Sequence, residues 1–565
     1  MNRLLKYTKI FLIAVFCISL SLFVVGCSSE CDHEYGEWSV SRPATCSEFG
    51  SKTKTCSKCG DTESESIEKL AHTTGTKFNM EKHWAECTVC GASLGNEINH
   101  NVVNYECECG YGVGQVLFEL SANGNSYEVS GFLAPQNDVA VEIPAIYNGK
   151  PVTKVKADAF KEKNSVVSLT VPDSVLEIEK GAFEGCEKVV NLKLPFVGGN
   201  REGMDPNLIS GTFHELNHIF GGDALVDKVP KTIVSLELTD AERIRGLSFK
   251  NCTSLQKVKL NEGLKAIHGS AFVDCVSLNE VYIPDSIEEV GYNAFGDCSK
   301  TLFNTVGGVY YLGNGQNNYL VAIDWLPGGE DVQIKEGCKV IAGRAFRGCS
   351  TKNIVVPQSV LFIGEGAFKE SRVENITISA GITTLHTETF ESASSLKTVN
   401  FAENSQLKTI ENRCFSFNWA LESINLPNGL ETIGGGNFIN TALKSITIPD
   451  SVKVIGDNAF SSCDSLVDIN IAWESQLETI GERVFAESDK IEKFYITKNV
   501  VSVGNFLLYS CDKAKIFLAP ESQLEASDIN APFSAGVYTY TEQKPESGKW
   551  WHFVDGKVAI WQTLF

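Results

Sequence analysis

The sequence predicts a mainly β chain. A parallel sheet winds as a solenoid of about thirteen coils, preceded by a small cysteine- and histidine-rich head and closed by capping β-hairpins. Three observations predict it. Segments repeat along the chain: "LQKVKLNEGLKAIHGSAFVDCVS" (255–277) and "LNEVYIPDSIEEVGYNAFGDCSK" (278–300) share the template L-x-x-V-x-I-P-x-S-V-x-x-I-G-x-x-A-F-x-x-C-x-S. Short alternating runs such as "SLTVP", "EVYIP", "NIVVP", "SINLP" and "SITIP" each end in proline, as strands bounded by turns do. Finally, residues 31–110 hold eight of the chain's 19 cysteines, a density that the repeats lack.

The 565 residues carry 49 Lys+Arg against 70 Asp+Glu, a net charge of −21. Such a surface repels phosphate backbones, so nucleic acid is not an expected partner. With 43% hydrophobic and 10% aromatic residues the chain is a folded one.

Residues 1–26 read as a signal peptide. Arg3, Lys6 and Lys9 supply positive charge, and "IFLIAVFCISLSLFVVG" is the apolar segment. "VVGC" then resembles a bacterial lipobox, which implies lipidation of Cys27 and a mature protein held on the outer face of the cell membrane by lipid alone. No later segment has the roughly 18 apolar residues needed to span a bilayer.

The head, 27–112, contains two C-x-x-C-G knuckles, "CSKCG" (56–60) and "CTVCG" (87–91). Two thiolates of such a turn can bind one metal ion while the glycine permits the bend. Flanking histidines complete two candidate sets of four: His33, Cys56, Cys59 and His72, and then His83, Cys87, Cys90 and His100. A rival second set is Cys87, Cys90, Cys107 and Cys109, and disulfide pairing is the alternative to metal in an extracellular head. The head resembles small zinc-ribbon-like modules of bacterial surface proteins, which implies structural zinc. A four-ligand site leaves no open position for catalysis.

Residues 113–151 are expected to form a capping hairpin, and 152–521 the solenoid. Its marker aromatic recurs at Phe160, Phe183, Phe249, Phe272, Phe295, Phe346, Phe368, Phe390, Phe415, Phe438, Phe460 and Phe485, with Leu508 in the same place. Most spacings are 22, 23 or 25 residues. Those of 66 and 51 mark inserts expected at 196–230 and 301–335. One coil cannot bury its own apolar face, so stacked coils must, with the phenylalanines forming an internal ladder. Cys186, Cys252, Cys275, Cys298, Cys349, Cys463 and Cys511 each stand three residues after the marker, which predicts a buried row of small side chains. Cys338 and Cys414 lie off it. The tail, 522–565, places Asp555-Gly556 between "WHFV" and "KVAIW", a hairpin signal, and its aromatics read as the cap of the last coil, with an aromatic platform for sugar as the alternative.

The template and the lead-in "YEVSGFLAPQNDVAVEIPAIYNGKPVTKV" (127–155) resemble the BspA-like leucine-rich repeat family of bacterial surface proteins, over about residues 115–520. The resemblance implies adhesion: binding of a host or cell-surface protein, or of a glycan, by a monomeric solenoid, with no enzymatic activity.

One motif points elsewhere. "TFHELNHIFG" (212–221) contains His214-Glu215-x-x-His218, the zinc motif of metalloproteases when it lies on a helix. Its glycine neighbours confine any helix to about nine residues, and Ala224 stands where the extended motif needs a third ligand. The stretch is therefore expected to be the exposed middle of an insert. A metalloprotease using His214, Glu215 and His218 is the alternative function from another class, and a structural envelope protein is the third.

Overall fold

The computed structural model describes residues 32–78, 82–99, 102–103, 106–107, 114–135, 137–200, 215–223, 225–328, 331–530 and 536–562. Two compact units follow one another, residues 1–111 and 112–565.

The first unit is built from hairpins. Ser39–Arg42, Gly50–Thr55 and Thr62–Ile67 form an antiparallel sheet. Thr74–Phe78 pairs with Lys82–Cys87, which pairs with Ile98–Asn99. The described residues of this unit form almost no apolar core. Among its described residues the buried ones are Cys46, Gly50, Cys56 and Cys87.

The second unit is the solenoid. Val139–Glu142, Val166–Thr170, Asn191–Leu194, Ser235–Leu238, Lys257–Lys259 and Glu280–Tyr282 pair in parallel, one strand per coil. A second ladder of two-residue strands runs from Thr384–Leu385 through Thr409–Ile410, Thr432–Ile433, Val454–Ile455 and Thr479–Ile480 to Ser502–Val503. The marker phenylalanines of adjacent coils stack between them, centroids 4.8 to 5.4 Å apart. That spacing is close to the strand repeat, so ring stacking and sheet pairing reinforce one another.

Each of the thirteen coils with a predicted marker turns past it through two left-handed residues, two before it and two after it: Asp158 and Glu162 around Phe160, Asn458 and Ser462 around Phe460, and even Leu247 and Asn251 around Phe249. The glycine of "IG" has a different reason. A Cβ on Gly291, Gly364 or Gly456 would fall 2.4 to 2.5 Å from a backbone nitrogen of the preceding coil. It is required by close approach between coils and not by the bend itself.

The cysteine row is buried as expected. Its thiols also bond. The Sγ atoms of Cys186, Cys275, Cys463 and Cys511 lie 3.1 Å from the carbonyl oxygen of the preceding coil's marker phenylalanine, and that of Cys298 lies at 3.3 Å. Burial pushes the thiols up, Cys186 and Cys252 to about 12, so they are inert. The two outliers fill other buried template positions. Cys414 takes the alanine place of "AF", and Cys338 the place held by Val360 one coil later.

Both expected inserts contribute to the core. In the first, Leu216, Ile219 and Phe220 are buried, and the Phe220 ring lies tilted against Phe183 at 6.3 Å. Phe183 N–H donates to the Ile219 carbonyl just as Phe160 N–H donates to Ala182. Ile219-Phe220 is therefore the "AF" of a further coil, hidden in the 66-residue spacing. From Glu215 on, the motif stretch is not the exposed middle of an insert: its five-residue helix, Glu215–Ile219, lies inside that coil because Ile219 and Phe220 must join the ladder. In the second, Asn304–Val306, Val309–Leu312 and Val321–Trp325 form an antiparallel sheet, and Val321–Trp325 pairs in parallel with Val340–Ile341. Its fully buried Tyr311 accepts a hydrogen bond from Lys335 N–H.

Hairpins close both ends. Gln115–Leu120 and Tyr127–Leu133 are antiparallel, and Phe132 begins the ring ladder on Phe160 at 5.1 Å. At the other end Asp555 and Gly556 both have positive φ, as a two-residue hairpin turn requires. Trp551 is fully buried, and its Nε1–H donates to the Leu518 carbonyl.

Candidate metal centres

Each knuckle forms the turn that its sequence requires. Gly60 N–H bonds the Cys56 carbonyl and Gly91 N–H the Cys87 carbonyl, both at 2.9 Å, and both glycines have positive φ. The turn aims the backbone N–H groups of its middle and end at the first sulfur. For Cys87 the N–H groups of Cys90 and Val89 dominate and hold the thiol near 5 against the opposing effect of burial. At Cys56 burial is the largest influence and raises the value. Lys58 N–H and the His33 ring overcome it, and the thiol falls to about 6.

Two groups of side chains converge. Cys46, His72, Cys87 and Cys90 form one, and His33, Cys56 and Cys59 the other. Within each group the ligand atoms lie within 4.8 Å of one another. In the first group Cys46 Sγ is 3.7 Å from Cys87 Sγ, and Cys90 Sγ is 3.5 Å from His72 Nδ1. In the second, Cys59 Sγ is 3.4 Å from His33 Nδ1. A tetrahedron with Zn–S near 2.3 Å and Zn–N near 2.05 Å has edges of about 3.8 Å between sulfurs and about 3.6 Å between sulfur and nitrogen. These three distances match the edges that a shared ion would impose, and the first group supplies four ligands and the second three. A sulfur–sulfur separation of 3.7 Å is far beyond a disulfide bond.

The grouping differs from the sequence expectation. His72, expected with Cys56 and Cys59, faces Cys90 of the other knuckle, because the strand Thr74–Phe78 that follows it pairs with the strand leading into Cys87. Cys46, which has no C-x-x-C neighbour, completes the set. Its thiol is pushed up to about 11, by Cys90 first, then by burial and by Cys87. The one available signal was its place ten residues before Cys56 within the same module. His83 lies on the strand Lys82–Cys87 and belongs to neither group. Cys27, Cys31, His100 and Cys109 lie outside the described residues, as does the Cys107 side chain.

The protease motif has a different environment. His214 is outside the described residues. Glu215 is buried beside Arg245, Oε1 to Nε 3.4 Å, and accepts a hydrogen bond from Ser248 at 3.4 Å. Burial raises its carboxyl to about 7, with Arg245 opposing. His218 is half-buried, and burial and Lys180 lower its pKa. The glutamate faces the next coil's side chains.

The fold defines the class: a β-solenoid of the leucine-rich repeat type. The family model of the BspA type leucine-rich repeat region matches residues 143–197, 231–309, 328–440 and 403–515, six copies covering more than half of the chain. The chain belongs to that family. Solved structures with which it aligns include a leucine-rich repeat protein of Bacteroides ovatus, 18% identical over 76% of this chain and 90% of that one, TM-score 0.25. A leucine-rich cell surface protein of Faecalibacterium prausnitzii is 20% identical over 76% and 94%, TM-score 0.27. The pneumococcal vaccine antigen PcpA is 17% identical over 76% and 94%, TM-score 0.25. The family assignment rests on the repeat match and not on these superpositions. No curated protein matches the chain.

Proposed function

We propose that this protein is a lipid-anchored surface binding protein whose solenoid engages a host or cell-surface protein or a glycan, while zinc in the head holds an otherwise coreless module folded. The observation that carries the binding role is an exposed tryptophan backed by a half-buried phenylalanine. Trp419 is 62% exposed and meets the Phe417 ring edge-on at 6.4 Å. The same two positions hold Ser392 and Ser394 in the coil before and Asn440 and Ala442 in the coil after. Nothing in the coil's own packing requires large rings there, and exposed aromatics are the residues that interfaces most often use.

The membrane anchor rests on the sequence around Cys27. Among the described residues no helix is long and apolar enough to cross a membrane. The metalloprotease reading would need Glu215 to be free to act on water, whereas it is tied to Arg245 and Ser248.

Fluorescently labelled mature chain, residues 27–565, tests the binding reading. We expect saturable attachment to epithelial or bacterial cells that unlabelled chain competes away and Trp419→Ala weakens at least fivefold. Absence of saturable attachment to every surface tried would sink it. Labelled palmitate should enter the wild-type chain and not Cys27→Ser.

A further inference from the structure

The coil carrying Phe417 and Trp419 departs from its neighbours in a second way. Thr398–Phe401 pairs back to Asn375–Ile378, and Ser445–Ile448 pairs forward to Asp468–Ile471. Residues 422–427 between them form no strand. The parallel sheet therefore parts at this coil, although the second ladder runs on unbroken through Thr409–Ile410 and Thr432–Ile433.

The preceding coil explains the parting. From Leu396 to Ile410 is 14 positions, whereas the corresponding step from Leu421 to Ile433 is 12. The two extra residues widen the turn at Ala402–Ser405, and the strands on either side can no longer keep ladder distance. Between that turn and residues 425–428 lies a cleft of about 540 Å³. Asn400, Asn404, Asn425 and Asn428 line it, with Phe401 and Pro427; no lining side chain is ionisable, and Glu403, between Ala402 and Asn404, is exposed at its rim. All four asparagines are exposed, and both apolar residues are half-buried.

A second wide coil shows what such a parting does when the protein fills it itself. From Leu466 to Ile480 is again 14 positions, and the sheet again breaks, between Asp468–Ile471 and Lys493–Ile496. There Trp473 stands in the place of Glu403, Tyr495 in that of Asn425 and Thr497 in that of Pro427. The Trp473 indole packs edge-on to Tyr495 at 5.2 Å and flat on Trp551 at 5.6 Å. Ser475 and Thr497 hydroxyls lie 3.4 Å apart, and Asn499 donates to the Ser475 carbonyl. One parting is plugged by rings. The other is open and lined with amides.

We propose that the cleft at residues 400–428 is a binding site for an uncharged oligosaccharide. The proposal rests on the reading of the solenoid as a binding surface and names its site and ligand class. A carboxamide offers a donor and an acceptor on one planar group, which matches the alternating donor and acceptor character of vicinal sugar hydroxyls. Phe401 and Pro427 give the apolar C–H face of a sugar ring a surface to lie on. A lining without cations or anions leaves no charge to pair with a sulfated, sialylated or amino sugar.

Calorimetric titration of the mature chain tests this, with uncharged glucose, galactose, mannose and N-acetylglucosamine oligomers of about three to six units as probes. At least one series should bind. Asn425→Ala with Asn428→Ala should weaken it tenfold or more. Glu403→Trp with Asn425→Tyr, which transplants two of the three rings that plug the later coil, should abolish binding with no fall in the thermal midpoint. The proposal is overturned if no oligomer binds, or if both double variants bind as the wild type does. Cell attachment by the same variants separates the two readings. Attachment of unchanged strength overturns the cleft as the contact site and leaves the solenoid reading in place.

Discussion

The head and the solenoid solve the same problem with opposite means. In the solenoid each coil buries a full set of apolar residues against its neighbours, and a single continuous core runs from Val129 to Ile529. In the head the buried side chains among the described residues are three cysteines. Described residues with so little apolar burial cannot offset their conformational entropy by packing. Its organising contacts are sulfur and imidazole atoms at coordination distance. If zinc occupies the head as proposed, the difference teaches where each region is vulnerable: the head to loss of the ion, the solenoid to loss of a ring.

Metal removal should give the largest and most one-sided effect. The mature chain should contain two zinc ions, and 1,10-phenanthroline should abolish amide exchange protection across residues 32–99 while leaving the solenoid's unchanged. Cys87→Ser should lower the zinc content to one. Protection of the head that survives full metal removal would place disulfides or packing in the ion's role.

Truncating the ladder should do the reverse. Phe438 is stacked on both Phe415 and Phe460 and fully buried. Phe438→Ala should cost about 3–5 kcal/mol in denaturant unfolding of the solenoid, with no change in head protection.

A smaller effect separates the buried glutamate from a catalytic one. The folded chain holds the Glu215 proton more tightly than the unfolded chain, since its carboxyl is raised from 4.5 to about 7. Its contribution is therefore fully present below about pH 4.5 and declines as pH rises toward 7. Glu215→Gln should remove that decline and raise solenoid stability at pH 8 by on the order of 2 kcal/mol. A variant less stable at pH 8 would mean that the Arg245 pair outweighs burial.

The smallest expected change is a gain. Asn418 takes the place of the row cysteine in its coil, fully buried, with both amide atoms unpaired. Asn418→Cys should restore the thiol contact to the Phe390 carbonyl and add about 1 kcal/mol, read as a rise in the thermal midpoint.

Much of this was legible in the chain. The repeat period exposes the solenoid because each coil must present the same apolar positions to the next, and the row of cysteines follows from the same constraint. The C-x-x-C-G turns are legible because their geometry is local. The coil at Phe220 was not, since "NHIFGG" keeps the ladder residue but loses most of the template around it. Neither was the partnership of His72 with Cys90, which depends on how one hairpin lies beside another and has no fixed spacing in sequence.

By itself, then, the sequence determined the periodic architecture, the coil markers, the end caps and the two knuckles, all of which arise from short-range spacing and repeated burial. Only the tertiary structure decided which ligands share a centre, that Glu215 turns into the next coil, and that one wide coil stays open where its counterpart is plugged by Trp473. Those outcomes depend on contacts between residues far apart in the chain, where packing and not spacing selects the partner.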